Sequence, residues 1–205
     1  MLLIVVLMTI LAYLIGSISS AILVCKLLNL SDPRTTGSKN PGATNVLRLS
    51  NKFVAAIVLV FDILKGTIPV WGAFLWGVEP VYLGIIALSV CLGHMFPLFF
   101  EFKGGKAVAT AFGVLMALGF DMALILIVTW LMVAISSKFS SLAAIVTVSL
   151  APLYTWLLNP LYVYPVLMLS ALIIFRHKDN IVRLLKGTES KVSFGQSKET
   201  PTDNE

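Results

Sequence analysis

Residues 1–26 read MLLIVVLMTILAYLIGSISSAILVCK: no charge falls before Lys26. An apolar run this long exceeds the roughly 20 residues that cross a bilayer, and it decides the fold class. A secretory signal would carry basic residues ahead of its apolar core. Here the first basic residue follows the run, which favours an uncleaved span with its N-terminus outside.

The rest of the chain repeats the pattern. Apolar blocks at 2–24, 53–76, 81–100, 107–120, 122–137, 140–158 and 161–175 alternate with compact polar clusters. The composition is 58% hydrophobic and 12% charged with a mean hydropathy of +0.95, about half the charge of a soluble domain. This is an all-α polytopic integral membrane protein of about seven transmembrane helices, some short. Residues 1–190 read as a single membrane-embedded domain, and 191–205 as a polar, mobile cytoplasmic tail. A block of about 14 residues covers only about 21 Å of a core near 30 Å thick. Blocks 107–120 and 122–137 therefore also read as half-helices or a re-entrant pair, leaving five crossings. Either count is odd and separates the termini.

Charge sets the orientation. With the N-terminus outside, the inner connections hold Lys26, Arg34, Lys39, Arg48, Lys52, Lys103, Lys106 and Lys138, and the C-terminal stretch adds Arg176, Lys178, Arg183 and Lys186. The outer turns hold Glu79, Asp121 and Asn159-Pro160. The positive-inside rule puts the C-terminus in the cytoplasm, and the net charge of +5 then needs no nucleic-acid partner. Cys25 and Cys91 lie in apolar runs and read as small fillers, not as a disulfide or metal pair.

Three inner clusters carry chemistry. Thr36 to Arg48 (TGSKNPGATNVLR) offers turns at its glycines and proline, short polar groups at Ser38, Asn40, Thr44 and Asn45, and the guanidinium fork of Arg48. Residues 43–49 look like a helix start, whose free N–H groups attract an anion. Phe102 to Thr110 (FKGGKAVAT) sets Gly104 and Gly105 before Lys106 at another helix start, suited to an anion although the full P-loop spacing is absent. Arg176 to Glu189 (RHKDNIVRLLKGTE) places His177, Asn180 and Arg183 on one helical face. Within the spans, Asp62 and Lys65 stand three apart and can neutralise each other, and an ionisable pair at that depth reads first as functional. Ser136, Ser137, Ser140 and Ser141 form a hydroxyl patch around Lys138.

The sum is phosphate chemistry at the inner interface, with no paired carboxylates, no H-E-x-x-H and no G-x-S-x-G elbow. Such a site suits transfer between two phosphorylated substrates by positioning and electrostatics. An anion transporter would instead carry polar residues through the membrane and inverted repeats of broken helices. A basic lipid-binding scaffold would not need the ordered Gly, Asn and Thr positions.

The clusters also carry a resemblance. Gly37 to Arg48, Gly93-His-Met-Phe-Pro97 leading into Phe102 to Thr110, and His177 to Arg183 with Gly187-Thr-Glu189 resemble, in order, the signature segments of the bacterial acyl-phosphate:glycerol-3-phosphate acyltransferase family (PlsY); Tyr13 to Ser20 and Phe61 to Gly66 match as well. The resemblance implies transfer of an acyl group from acyl phosphate to the 1-hydroxyl of glycerol 3-phosphate, giving lysophosphatidic acid and phosphate, the first step of phospholipid synthesis. The site would face the cytoplasm from a bacterial inner membrane, with no cofactor and no metal, among membrane lipids, and with a monomer as the simplest assembly. It implies catalytic roles for His177, Asn180, Lys106 and Ser141. Phosphate-binding roles fall to Ser38, Asn40, Thr44, Asn45, Arg48, Lys65, Gly104 and Gly105. Lys39 and Ala107 depart from the family, in which many members carry glycine at those places.

Overall fold

The computed structural model describes residues 2–117 and 119–192, and every regular element among them is helical. The helices are α1 (Leu2–Gly16), α2 (Ser20–Leu27), α3 (Ala43–Leu49), α4 (Lys52–Leu75), α5 (Pro80–Met95), α6 (Val108–Met116), α7 (Phe120–Ser137), α8 (Ser140–Leu158), α9 (Val163–Arg176) and α10 (Lys178–Leu185). Five segments are long and apolar enough to cross a bilayer: α1 with α2, α4, α5 with the turn after it, α7, and α8.

Of the two blocks expected as either spans or half-helices, the first is short and the second is full length. Block 107–120 contracts to α6, whose nine residues reach only about 14 Å. Block 122–137 is a full helix of 18 residues, because α7 starts at Phe120, where Asp121 Oδ1 accepts the Met122 N–H (2.8 Å). The other short segment is α9, with 14 residues, which continues into α10 across a 58° bend at His177. The first span is also not one unbroken helix, since residues 17–19 leave the helical path.

The outside of the bundle is apolar, with Phe53, Phe61, Ile68, Trp71 and Leu75 of α4 all exposed. The inside is small, with Ala12, Ala73, Ala111, Ala143 and Ala151 buried. Lipid tails are as apolar as leucine, so helices associate there by close van der Waals approach rather than by hydrophobic burial. Gly66 and Gly113 bring α4 and α6 together: a Cβ at Gly66 would collide with Thr110 O, and one at Gly113 with Ile63 O. Thr67 Oγ1 then donates across the pair to Gly113 O (2.9 Å).

The break at residues 17–19 is answered by the buried charges. Lys65 Nζ donates to the Ile18 carbonyl (3.0 Å) and pairs with Asp62 Oδ1 (2.7 Å). The same carboxylate accepts from Ser20 Oγ (2.7 Å) and lies 3.5 Å from His94 Nδ1, which in turn is 3.2 Å from Thr110 Oγ1. Asp62 and Lys65 are 2% and 8% exposed, so this is a polar knot inside the bundle, tying α2, α4, α5 and α6.

Of the tail expected from residue 191, all but the first two residues lie outside the described residues. Those two are docked: Val192 is buried and its N–H donates to Lys138 O (2.8 Å), and Lys191 Nζ lies 5.9 Å from the centre of the Phe139 ring.

Two glycines of α4 make a matched test. Gly66→Ala should lower stability by about 1–3 kcal/mol, the usual range for overpacking. Gly72→Ala, whose Cβ meets nothing within 4 Å, should be neutral or stabilising by up to about 1 kcal/mol through helix propensity. Thermal unfolding of the two variants in one detergent distinguishes them, and equal midpoints would reject the close-packing account.

Candidate active site

The second and third clusters meet at one point. Lys106 Nζ hydrogen-bonds Asn180 Oδ1, joining the loop before α6 to the first turns of α10. Asn180 Nδ2 donates to Glu189 Oε1 (2.6 Å), and Ser141 Oγ at the start of α8 donates to the same oxygen (2.6 Å). Arg183 Nε holds the other oxygen, Oε2, at 2.7 Å. Arg48, at the end of α3, reaches the adjoining backbone through Nη2 to Ser190 O (3.1 Å). Residues from four separate stretches of chain thus surround one carboxylate, which works here as an internal anion.

His177 stands beside this group at the bend between α9 and α10 and is 2% exposed. Its Nδ1 lies 2.8 Å from Ile173 O. A carbonyl can only accept, so Nδ1 carries the proton and Nε2 is left as an acceptor.

The electrostatics follow from burial. Removal from water lowers the Lys106 ammonium to a pKa of about 8, despite the nearby Glu189 charge that opposes the shift. Burial pushes Glu189 up, but the hydrogen bonds from Ser141, Asn180 and Arg183 outweigh it and hold the carboxyl below its ordinary value. The centre therefore joins an anion held by three donors to a lysine near its own titration point.

The loop of the first cluster lies against the second, with Pro41 O 3.0 Å from the place a Gly105 Cβ would take. Asn45 Oδ1 accepts the Ser38 N–H (2.9 Å), and Asn45 Nδ2 donates to Pro33 O (2.9 Å) and Thr36 O (3.0 Å). At 1% exposure, near the start of α3, Asn45 braces the loop ahead of it. The Lys65 ammonium is likewise engaged, by Asp62 and Ile18 O inside the bundle. Ser38 and Asn40 sit on this loop and Thr44 in the first turn of α3, and among the described residues no hydrogen bond links their side chains to Lys106 or Glu189.

The diglycine turn is also altered in one atom. The Gly105 N–H donates to His94 O (3.1 Å), so it is not free to meet an anion. What remains at this end is the Lys106 ammonium and the first-turn N–H groups of α6, which have no acceptor within the helix. Lys39 and Ala107 both hold left-handed backbone (φ 57°), where a side chain costs about 1 kcal/mol; this is the physical reason glycine suits those two places.

Glu189 and Arg183 complete the site, although neither was among the sequence-assigned site residues. The available signal was an acidic residue closing an otherwise basic stretch, together with the helical spacing of Asn180 and Arg183.

Comparison with known proteins bears on what this arrangement is. The family model described as glycerol-3-phosphate acyltransferase matches residues 6–187. A glycerol-3-phosphate acyltransferase of Colwellia psychrerythraea is 69% identical over 193 residues, covering 94% of this chain and 98% of its own. One of Vibrio cholerae is 56% identical over 198 residues, covering 97% and 94%. The fold is similar to the crystal structure of PlsY, an integral membrane glycerol 3-phosphate acyltransferase, in its glycerol 3-phosphate form, with a TM-score of 0.87, 38% identity, and 92% of this chain and 96% of that one covered. A second crystal structure of PlsY, in a lysophosphatidic acid form, gives a TM-score of 0.85 at 37% identity, with 92% and 95% covered. With the matched segment spanning nearly the whole helical bundle, the first two polar clusters and the third as far as Gly187, the chain belongs to the glycerol-3-phosphate acyltransferase family.

Proposed function

We propose that this chain transfers an acyl group from acyl phosphate to the 1-hydroxyl of glycerol 3-phosphate, at a site on the cytoplasmic side of a bacterial inner membrane. Membership of the family supplies the acceptor and the product, lysophosphatidic acid, which places the enzyme in phospholipid synthesis. The acyl phosphate donor is what the family resemblance implies, and the side of the membrane is read from charge. One observation supports the reading most: Lys106, Asn180, Ser141, Arg183 and Arg48 converge from distant parts of the chain around a single carboxylate. Ser141, Asn180 and Arg183 hold that anion directly, and Lys106 and Arg48 join the group through Asn180 Oδ1 and Ser190 O, a set that suits a substrate phosphate.

The reaction needs no protein nucleophile. The 1-hydroxyl oxygen attacks the acyl carbonyl carbon, an ester bond forms, and the mixed anhydride breaks to release phosphate. A substrate phosphate, with its second pKa near 6, accepts the hydroxyl proton better than Glu189, whose carboxyl is held below its ordinary value. Ser141 donates to Glu189 and is not poised as a nucleophile by that weak base. His177, through its Nε2 acceptor, orients the hydroxyl, and the second hydrogen of the Asn180 amide polarises the acyl carbonyl, while Lys106 and Arg48 hold phosphate charge as it shifts. Ser38 and Asn40 on the neighbouring loop, and Thr44 in the first turn of α3, line the approach.

The positive-inside rule supports the orientation, with the N-terminus outside and the C-terminus in the cytoplasm. One chain supplies the whole site, so a monomer suffices.

Purified protein given acyl phosphate and glycerol 3-phosphate should form lysophosphatidic acid and phosphate one for one. Acyl-carrier-protein and coenzyme A thioesters, run alongside, should give none; product from thioesters alone would reject the donor. Lys106→Ala and Arg48→Ala should each lower kcat/KM by about 10²-fold while the unfolding midpoint holds, the size lost with one preorganised charge; near-normal kinetics would sink the phosphate roles. Lys106 is protonated below its pKa of about 8 and loses its charge above it. The kcat/KM of the free enzyme should therefore fall on the basic side near pH 8, and Lys106→Arg should remove that fall. A basic limb unmoved by the substitution would assign it to another group.

A further inference from the structure

Behind the loop that carries Lys106 stands a guanidinium that the reaction itself does not use. Arg176, the last residue of α9, donates through Nη2 to Gly105 O (3.0 Å) and Gly104 O (3.3 Å). Its Cζ lies 5.0 Å from the centre of the Phe96 ring, and a planar cation stacks well on such a face. Tyr13 Oη fixes the residue that bears the ring, donating to Phe96 O (2.8 Å). Arg176 Nε is buried with no partner among the described residues, and an unsatisfied donor of that kind asks for a reason. Holding two adjacent carbonyls at once supplies one.

His94 grips the loop from α5. Its carbonyl takes the Gly105 N–H, and it packs so closely that a Cβ at Gly104 would collide with His94 O and one at Gly105 with His94 Nε2. The loop thus has two carbonyls and one N–H fixed from behind, while Lys106 reaches the other way to Asn180.

We infer that Arg176 is a positioning residue, which sets the Gly104–Gly105 loop through its carbonyls so that Lys106 meets a substrate phosphate already in place. The inference rests on the reading that Lys106 binds phosphate. It makes a specific demand: loss of the guanidinium, whose Nη2 spans both carbonyls while its plane rests on Phe96, loosens this loop and weakens binding of the one substrate whose phosphate Lys106 holds. The other substrate, and the rest of the fold, are spared.

The test is steady-state kinetics of the full-length protein in detergent, with glycerol 3-phosphate and acyl phosphate varied in turn, for the parent, Lys106→Ala, Arg176→Lys and Arg176→Gln. Lys106→Ala should raise the KM for one substrate. Arg176→Lys, which keeps the charge but not the fork, should raise the KM for that same substrate by about tenfold, more than it changes kcat or the other KM. Hydrogen–deuterium exchange should rise over residues 102–107 in both Arg176 variants while the helices keep their protection. If Lys106→Ala raises one KM and Arg176→Lys leaves both unchanged, the loop binds phosphate but Arg176 does not position it. If Arg176→Lys lowers kcat, raises both KM values and increases exchange throughout, its role is general stability and the inference is overturned. If Lys106→Ala moves neither KM, the phosphate reading itself falls, and the positioning role with it. Should Arg176→Gln not fold, Arg176→Lys decides alone.

Discussion

A carbonyl or N–H freed inside a bilayer has no water to turn to, and each break in a helix has to be answered by another part of the protein. This chain breaks its helices where its chemistry sits. Lys65 answers the break at residues 17–19 through Ile18 O, and Tyr13 answers the end of α5 through Phe96 O. Arg176 and His94 answer the diglycine loop, and the His177 ring answers the bend after α9 through Ile173 O. These side chains keep the bundle intact where the backbone is irregular, and the irregular backbone is what brings Lys106 and Asn180 together.

The same economy shapes the catalytic group. The reaction class asks for little covalent participation by the protein: a phosphate to be held, a hydroxyl to be aimed, and charge to be met as it moves. Glu189 holds Ser141, Asn180 and Arg183 in fixed relation, while Arg48 approaches the adjoining backbone at Ser190 O. The glycine contacts between α4 and α6 set the distance at which α6 can present its first turn to that group.

Much of this was legible in the residues, and the rest was hidden for physical reasons. Long uncharged runs identify membrane helices because a bilayer tolerates little else, and the motif order singled out Lys106, Asn180 and Ser141, which the fold links to one another, and His177 beside them. Block 107–120 left a full span and a half-helix both open, because an apolar stretch reads alike whether it is helix, turn or short re-entry. Asn45 carried the right chemistry for a phosphate ligand, yet nothing local distinguishes an amide that faces a ligand from one that braces its own loop. Lys65 gave a real signal for a buried charge, but Ile18 O, to which it donates, and Ser20 and His94, which face its partner Asp62, come from other segments. Arg176 was hidden in the same way: among several basic residues of one stretch, only the fold shows which one lies behind Gly104 and Gly105. Lys39 and Ala107 run the other way, since the resemblance marked them as glycine positions and their positive φ explains why.

The central claim is that Lys106 and the groups around Glu189 form the phosphate site. A structure of this protein with glycerol 3-phosphate and a non-transferable acyl phosphate analogue bound tests it most directly. The account predicts a phosphate oxygen within about 3 Å of Lys106 Nζ, beside Asn180 and Ser141, with Asp62 and Lys65 still paired to each other. Both phosphates bound away from Lys106, or either one in contact with Lys65, would contradict it.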